Sequence, residues 1–116
     1  MSLLNIAVIT FAIAAIGGLI LAKSLFSEKL PPWTLSLTHA VLGATGLVLL
    51  IVAVLQGNST SRITASLGLF LVAALGGFFL ASFHMRKVIA PKAIILIHAG
   101  VAVVGFLTLL SFVFGM

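Results

Sequence analysis

Four long apolar stretches, separated by short polar or proline-bearing segments, dominate the chain: Leu3–Ala22, Leu35–Leu55, Ile63–Phe83 and Ala93–Phe114. Charged residues stay outside them, with Arg62 at the border of the third. Each stretch has the roughly 20 residues that an α-helix needs to cross about 30 Å of hydrocarbon. A membrane barrel would need many strands with alternating polar positions, and the pattern holds none. The expected fold is therefore an all-α membrane protein, a single domain over residues 1–116 with four transmembrane helices. The first stretch resembles a signal peptide only in its position. It lacks a basic leading segment, its apolar run is long, and its partner in the repeat described next is internal, so it is expected to be a helix.

The chain repeats itself at an offset of 59 residues. The shift lays Phe11 on Phe70, Ala14-Ala15 on Ala73-Ala74, Gly17-Gly18 on Gly76-Gly77, and Leu21-Ala22 on Leu80-Ala81. It also lays Pro32 on Pro91, His39-Ala40 on His98-Ala99, and Gly46 on Gly105. Residues 3–56 form one copy and residues 62–115 the other. Two helices per copy is an even number, so both copies run the same way across the membrane, related by a pseudo-two-fold axis along its normal. Short connections favour an up-down-up-down bundle with helices 1 and 3 on one diagonal and helices 2 and 4 on the other.

Composition narrows the class further. With 63% hydrophobic and 6% charged residues the chain belongs in a lipid bilayer. The net charge of +5 is unevenly placed. Lys23 and Lys29 lie between helices 1 and 2, and Arg86, Lys87 and Lys92 between helices 3 and 4. Only Arg62 lies on the other side. The positive-inside rule then puts both basic connections in the cytoplasm and both termini outside, as expected for a bacterial inner-membrane protein. Anionic headgroups are the natural partners of these cations. No basic run is interleaved with aromatic residues, so nucleic acid is not an expected partner. Asn58-Ser-Thr on the outer loop matches a glycosylation sequon, a pattern common by chance. The absence of cysteine excludes disulfides, Cys-ligated iron–sulfur clusters and covalent c-type haem attachment.

His39 and His98 are the only ionisable side chains inside the apolar stretches. Ionisable residues within a membrane are costly and point to function. Each lies about five residues into its helix, roughly 7–9 Å from the cytoplasmic end, so they are expected at one depth across the bundle axis. Gly17, Gly18, Gly76 and Gly77 match that depth on helices 1 and 3. Small residues follow each histidine at helical spacing: Gly43 and Gly46 after His39, Ala102 and Gly105 after His98. A layer emptied of side-chain bulk between two imidazoles fits one haem b held by two axial histidines. The glycines, having no Cβ, would admit the macrocycle edge. Its propionates would turn to the cytoplasmic surface, toward Lys23, Arg86, Lys87, Lys92 and the Trp33 indole N–H.

In these residues the chain resembles the bis-histidine membrane b-type cytochromes, such as the bacterial cytochrome b561 type. There, four helices clasp haem between histidines, and glycines relieve contact with the porphyrin. The resemblance covers the whole chain in architecture and rests on one histidine per two-helix repeat with its matched glycines. It implies haem binding and electron transfer or haem and redox handling, with a redox partner of unknown identity. This chain carries one transmembrane His pair where that family has two, which implies one haem near the cytoplasmic face and no electron path across the bilayer.

Other readings of the same residues stand beside this one. A neutral histidine can hydrogen-bond a backbone carbonyl or Thr38 and bind nothing, and glycine pairs can serve helix packing alone. His84, in a basic connection with Leu25 as its repeat partner, reads as a solvated loop residue. Pro32 and Pro91 read as the starts of helices 2 and 4. Three scattered methionines do not make a copper path. A small transporter using the His pair for a metal ion or protons is the runner-up, and a structural subunit without cofactor is the third class. The small multidrug exporters need a membrane-embedded carboxylate, whereas the only acid here, Glu28, lies in a polar loop. Gly68 and Gly100 offer small-residue faces suited to a homodimer seam. No catalytic nucleophile or carboxylate is visible, so the sequence leaves enzymatic activity open.

Overall fold

Why the four stretches become helices, and where each stops, follows from backbone hydrogen bonding. In lipid no water serves an open N–H or C=O, so each span must satisfy its own backbone. A computed structural model describes the whole chain, Met1–Met116. It contains α1 (Leu3–Phe26), α2 (Trp33–Leu55), α3 (Ser61–Met85) and α4 (Lys92–Val113). Every helix is long and apolar enough to cross a membrane. Hydroxyls within the spans turn back on their own helices: Thr45 Oγ1 donates to the Val41 carbonyl and Thr108 Oγ1 to that of Val104, both at 2.7 Å.

The helices overrun the apolar stretches mainly at the basic end, where hydrocarbon gives way to headgroups. Lys23 thus lies in the last turn of α1, and Lys92 opens α4, rather than standing in connections. Both basic turns end in the same way. Glu28 and Lys87 adopt left-handed φ values of 59° and 58°. The amide of Lys29 then donates to the Ser24 carbonyl, and that of Val88 to Phe83, closing α1 and α3. These pairs are again 59 residues apart. Ser2 and Thr60 cap α1 and α3 through their side chains, while Pro32 and Pro91 precede α2 and α4.

α1 packs against α2 and α3 against α4, and the two hairpins meet along α2–α3 and α1–α4. Helices 1 and 3, and helices 2 and 4, therefore stand on the diagonals, as the repeat predicts. The bundle is 42 Å long, enough to span the hydrocarbon and reach both interfaces. Only 16 of 116 residues are buried, so most of the apolar surface finds no partner within the chain and is left for lipid. This is an integral membrane protein.

The core obeys the repeat. Leu4, Ala7, Phe11 and Ala14 are buried on α1, and Ile63, Ser66, Phe70 and Ala73 are their counterparts on α3. Gly46 and Leu50 on α2 match Gly105 and Leu109 on α4. On the axis the rings of Phe11 and Phe70 stack 3.9 Å apart and 4° from parallel. All these residues lie in the half remote from the basic end. Beyond Ala14 and Ala73 toward the basic end, the helices bury only Ile95. The apolar core cluster fills the end remote from the basic residues, with the histidines at its boundary, while Ile95 and the turn residues Pro31 and Ala90 are buried at the basic end.

Candidate functional site

His39 projects from α2 six residues after its start, and His98 from α4 six residues after its own. At 1.5 Å per residue both lie about 9 Å from the basic end. The two imidazoles meet across the α2–α4 diagonal with ring centres 6.3 Å apart and planes at 82°. Each is half-buried.

Each ring is held by the other helix of its own hairpin. His39 Nδ1 lies 2.8 Å from the Ala14 carbonyl oxygen, and His98 Nδ1 lies 2.7 Å from that of Ala73. A carbonyl only accepts, so Nδ1 carries the proton in both rings. In the neutral imidazole this leaves the lone pair on Nε2, the nitrogen free to bind a metal. A backbone carbonyl on the remote nitrogen is the usual outer support of a ligating histidine. Thr38 plays no part in this, since its hydroxyl donates to the Thr34 carbonyl.

The glycine pairs serve the imidazoles directly. A Cβ on Gly18 would come within 3.0 Å of His39 Cε1, and one on Gly77 within 3.3 Å of His98 Cε1. A Cβ on Gly17 would meet His39 Cβ at 3.8 Å, and one on Gly76 would meet His98 Nδ1 at 3.4 Å. Gly17-Gly18 and Gly76-Gly77 thus back the rings of their own hairpins. The room expected beside them for a macrocycle edge is, in this structure, bordered by the imidazoles themselves.

Gly46 and Gly105 also differ from expectation. Beside Gly46 the Phe11 ring fills the space of a Cβ, at 2.8 Å, and beside Gly105 stand Leu69 at 3.2 Å and Phe70 at 3.6 Å. The stacked phenylalanines occupy the room that the sequence assigned to a cofactor, so these two glycines belong to the floor below the histidines. Gly43 has nothing within 4 Å of a Cβ position, and Ala102, its counterpart, is half-buried. An apolar groove of 340 Å³ on the second hairpin runs between α3 and α4 past Gly76 to His98.

At the basic end the structure corrects the reading of His84. It lies in the last turn of α3 and not in a loop. Its ring stacks on Trp33, centres 3.8 Å apart and 4° from parallel, and its Nδ1 lies 3.0 Å from Ser36 Oγ. The start of α2 and the end of α3 share one depth in an antiparallel pair, which was the available signal. His84 has no repeat counterpart, since Leu25 occupies the matching position. The rim cations are spread over both seams. Arg86 folds back on the Ser82 carbonyl and hydroxyl at 3.2 and 3.4 Å. Lys92 Nζ lies 5.8 Å from the centre of the Phe26 ring. Lys23 and Lys87 are exposed.

No third His, Cys, Asp or Glu joins the His39–His98 pair. Chemically the arrangement is two imidazoles, each with Nδ1 bonded to a carbonyl and Nε2 without a protein partner, at one depth on opposite sides of an axis. The chain matches no protein-family model, no curated protein and no solved structure.

Proposed function

We propose that His39 and His98 would hold the iron of one haem b between their imidazoles, in a membrane protein that handles electrons or haem at its basic, cytoplasmic face. The observation that carries this reading is the geometry of the pair. A metal ion holds an imidazole nitrogen at about 2 Å and the ring centre lies about 1 Å behind it, so two rings on opposite sides of one ion have centres about 6 Å apart. The separation here is 6.3 Å. An edge-to-face aromatic pair spans a similar range, about 4.5–7 Å. The contacts favour ligation, because each ring gives its Nδ1–H to a carbonyl and its Nε2 makes no hydrogen bond to the protein.

The residues fit the group in three further respects. The donor set is two imidazoles without a completing carboxylate or thiolate, which suits an ion whose other four positions a porphyrin fills. Glycine pairs, and no bulky side chains, stand beside both imidazoles on α1 and α3. Cations suited to carboxylates surround that end. Bound haem would supply reversible one-electron chemistry. The chain's part is to hold both imidazoles by their Nδ1–H groups and to exclude water from the far side with the Phe11–Phe70 floor.

A structural role for the same bonds is the competing reading. The His39–Ala14 and His98–Ala73 contacts each tie one hairpin together. Titration of the detergent-solubilised chain with haem separates the two. One haem should bind per chain with a low-spin spectrum, and His39→Ala or His98→Ala should each remove that spectrum. A chain that stays folded and binds no haem leaves the structural role.

A further inference from the structure

The two-fold symmetry of the bundle breaks at its basic rim. Under the 59-residue shift Lys23 corresponds to Ser82, and Trp33 to Lys92. Because α1 lies beside α4 and α2 beside α3, the α1–α4 seam carries two lysines where the α2–α3 seam carries Ser82 and Trp33. Phe26 is three residues after Lys23 and shares its face of α1. The Lys92 ammonium sits over that ring, so it reaches α1 within one turn of Lys23.

The other seam is committed elsewhere. Ser82 Oγ donates to the Phe79 carbonyl at 2.6 Å, Arg86 folds onto Ser82, and Trp33 is stacked on His84. Lys87 holds the left-handed position of the turn after α3. One acid, Glu28, is all the chain contains, too little to neutralise two ammoniums.

We infer that Lys23 and Lys92 form a carboxylate subsite belonging to the His39–His98 site, so that the acidic edge of a ligand held by the imidazoles turns to the α1–α4 seam. The inference rests on the haem reading. Lys92 precedes His98 by six residues, and Lys23 follows Gly18, which touches the His39 ring, by five. Both ammoniums therefore originate about 7–9 Å from the imidazoles toward the basic end. There long side chains carry their charge to the headgroup level while their stems stay in apolar surroundings. Ammonium–carboxylate hydrogen bonds formed beside a membrane interior are of the strong, charge-assisted kind.

The test compares iron protoporphyrin IX with its dimethyl ester, which keeps the macrocycle and has no carboxylates, each titrated into the full chain in detergent. The native chain should bind the free acid at least about ten-fold more tightly than the ester. Lys23→Gln combined with Lys92→Gln should erase that preference while leaving ester affinity and the two-imidazole spectrum unchanged. Arg86→Gln combined with Lys87→Gln should keep it. The subsite is overturned if the Lys23 and Lys92 variant keeps the full preference, or if the Arg86 and Lys87 variant loses it. Ester binding that depends on His39 and His98 upholds the haem reading whatever the lysines do. Failure of both porphyrins to bind overturns both.

Discussion

Phe11 and Phe70 lie face to face on the pseudo-two-fold axis, 3.9 Å apart, and each leans against a glycine of a neighbouring helix. Gly46 is the tighter of these contacts, with the Phe11 ring 2.8 Å from the position of a Cβ. Gly46→Ala should therefore overpack the floor and destabilise the bundle by about 1–3 kcal/mol. At Gly43 and Gly100 a Cβ meets nothing within 4 Å. Alanine there should be neutral or stabilising by up to about 1 kcal/mol, from helix propensity. Thermal unfolding of the three variants in one detergent measures the contrast.

A second contrast concerns the imidazoles. Gly18→Ala places a methyl 3.0 Å from His39 Cε1, whereas Gly17→Ala meets the same side chain at 3.8 Å. The first should displace the ring from the Ala14 carbonyl and weaken haem binding by about ten-fold or more, the cost of losing one supporting contact to a ligand. The second should bind haem as the native chain does. Equal affinity in the two variants would argue against the imidazole as the sensitive element.

The stack of Trp33 on His84 makes a separate prediction. Trp33 is the only tryptophan, so its fluorescence reports this contact alone. His84→Ala should change the emission and remove about 0.5–1.5 kcal/mol of stability, and leave any His39- and His98-dependent absorbance intact. A loss of that absorbance would make His84 a ligand and displace one of the pair.

Orientation in the membrane is open to a direct check because the chain has no cysteine. An impermeant thiol reagent added to intact cells should label Asn58→Cys and spare Lys87→Cys. The opposite pattern would move the basic end outside and take the proposed site with it.

Much of this structure was legible in the sequence. Hydrophobic length specified the four spans, and the 59-residue offset placed His39 and His98 on one diagonal at one depth. What depth matching does not supply is rotation about each helix axis. Gly46 and Gly17 are both small and both near the histidines, yet one faces Phe11 and the other His39. Only side-chain packing decides between those outcomes. His84 was obscured for a different reason: it lies where the two copies differ, so the repeat that revealed the site was silent about its rim.

The 82° between the His39 and His98 planes has a direct spectroscopic consequence if both rings hold haem iron. Two axial imidazoles set perpendicular to one another leave the iron d orbitals that they address nearly equal in energy. Electron paramagnetic resonance of the oxidised, haem-loaded native chain should therefore give one strongly anisotropic low-spin signal, lost in His39→Ala and in His98→Ala. A rhombic low-spin signal of the kind parallel imidazoles produce, or no low-spin signal at all, would contradict ligation by this pair as it stands in the fold.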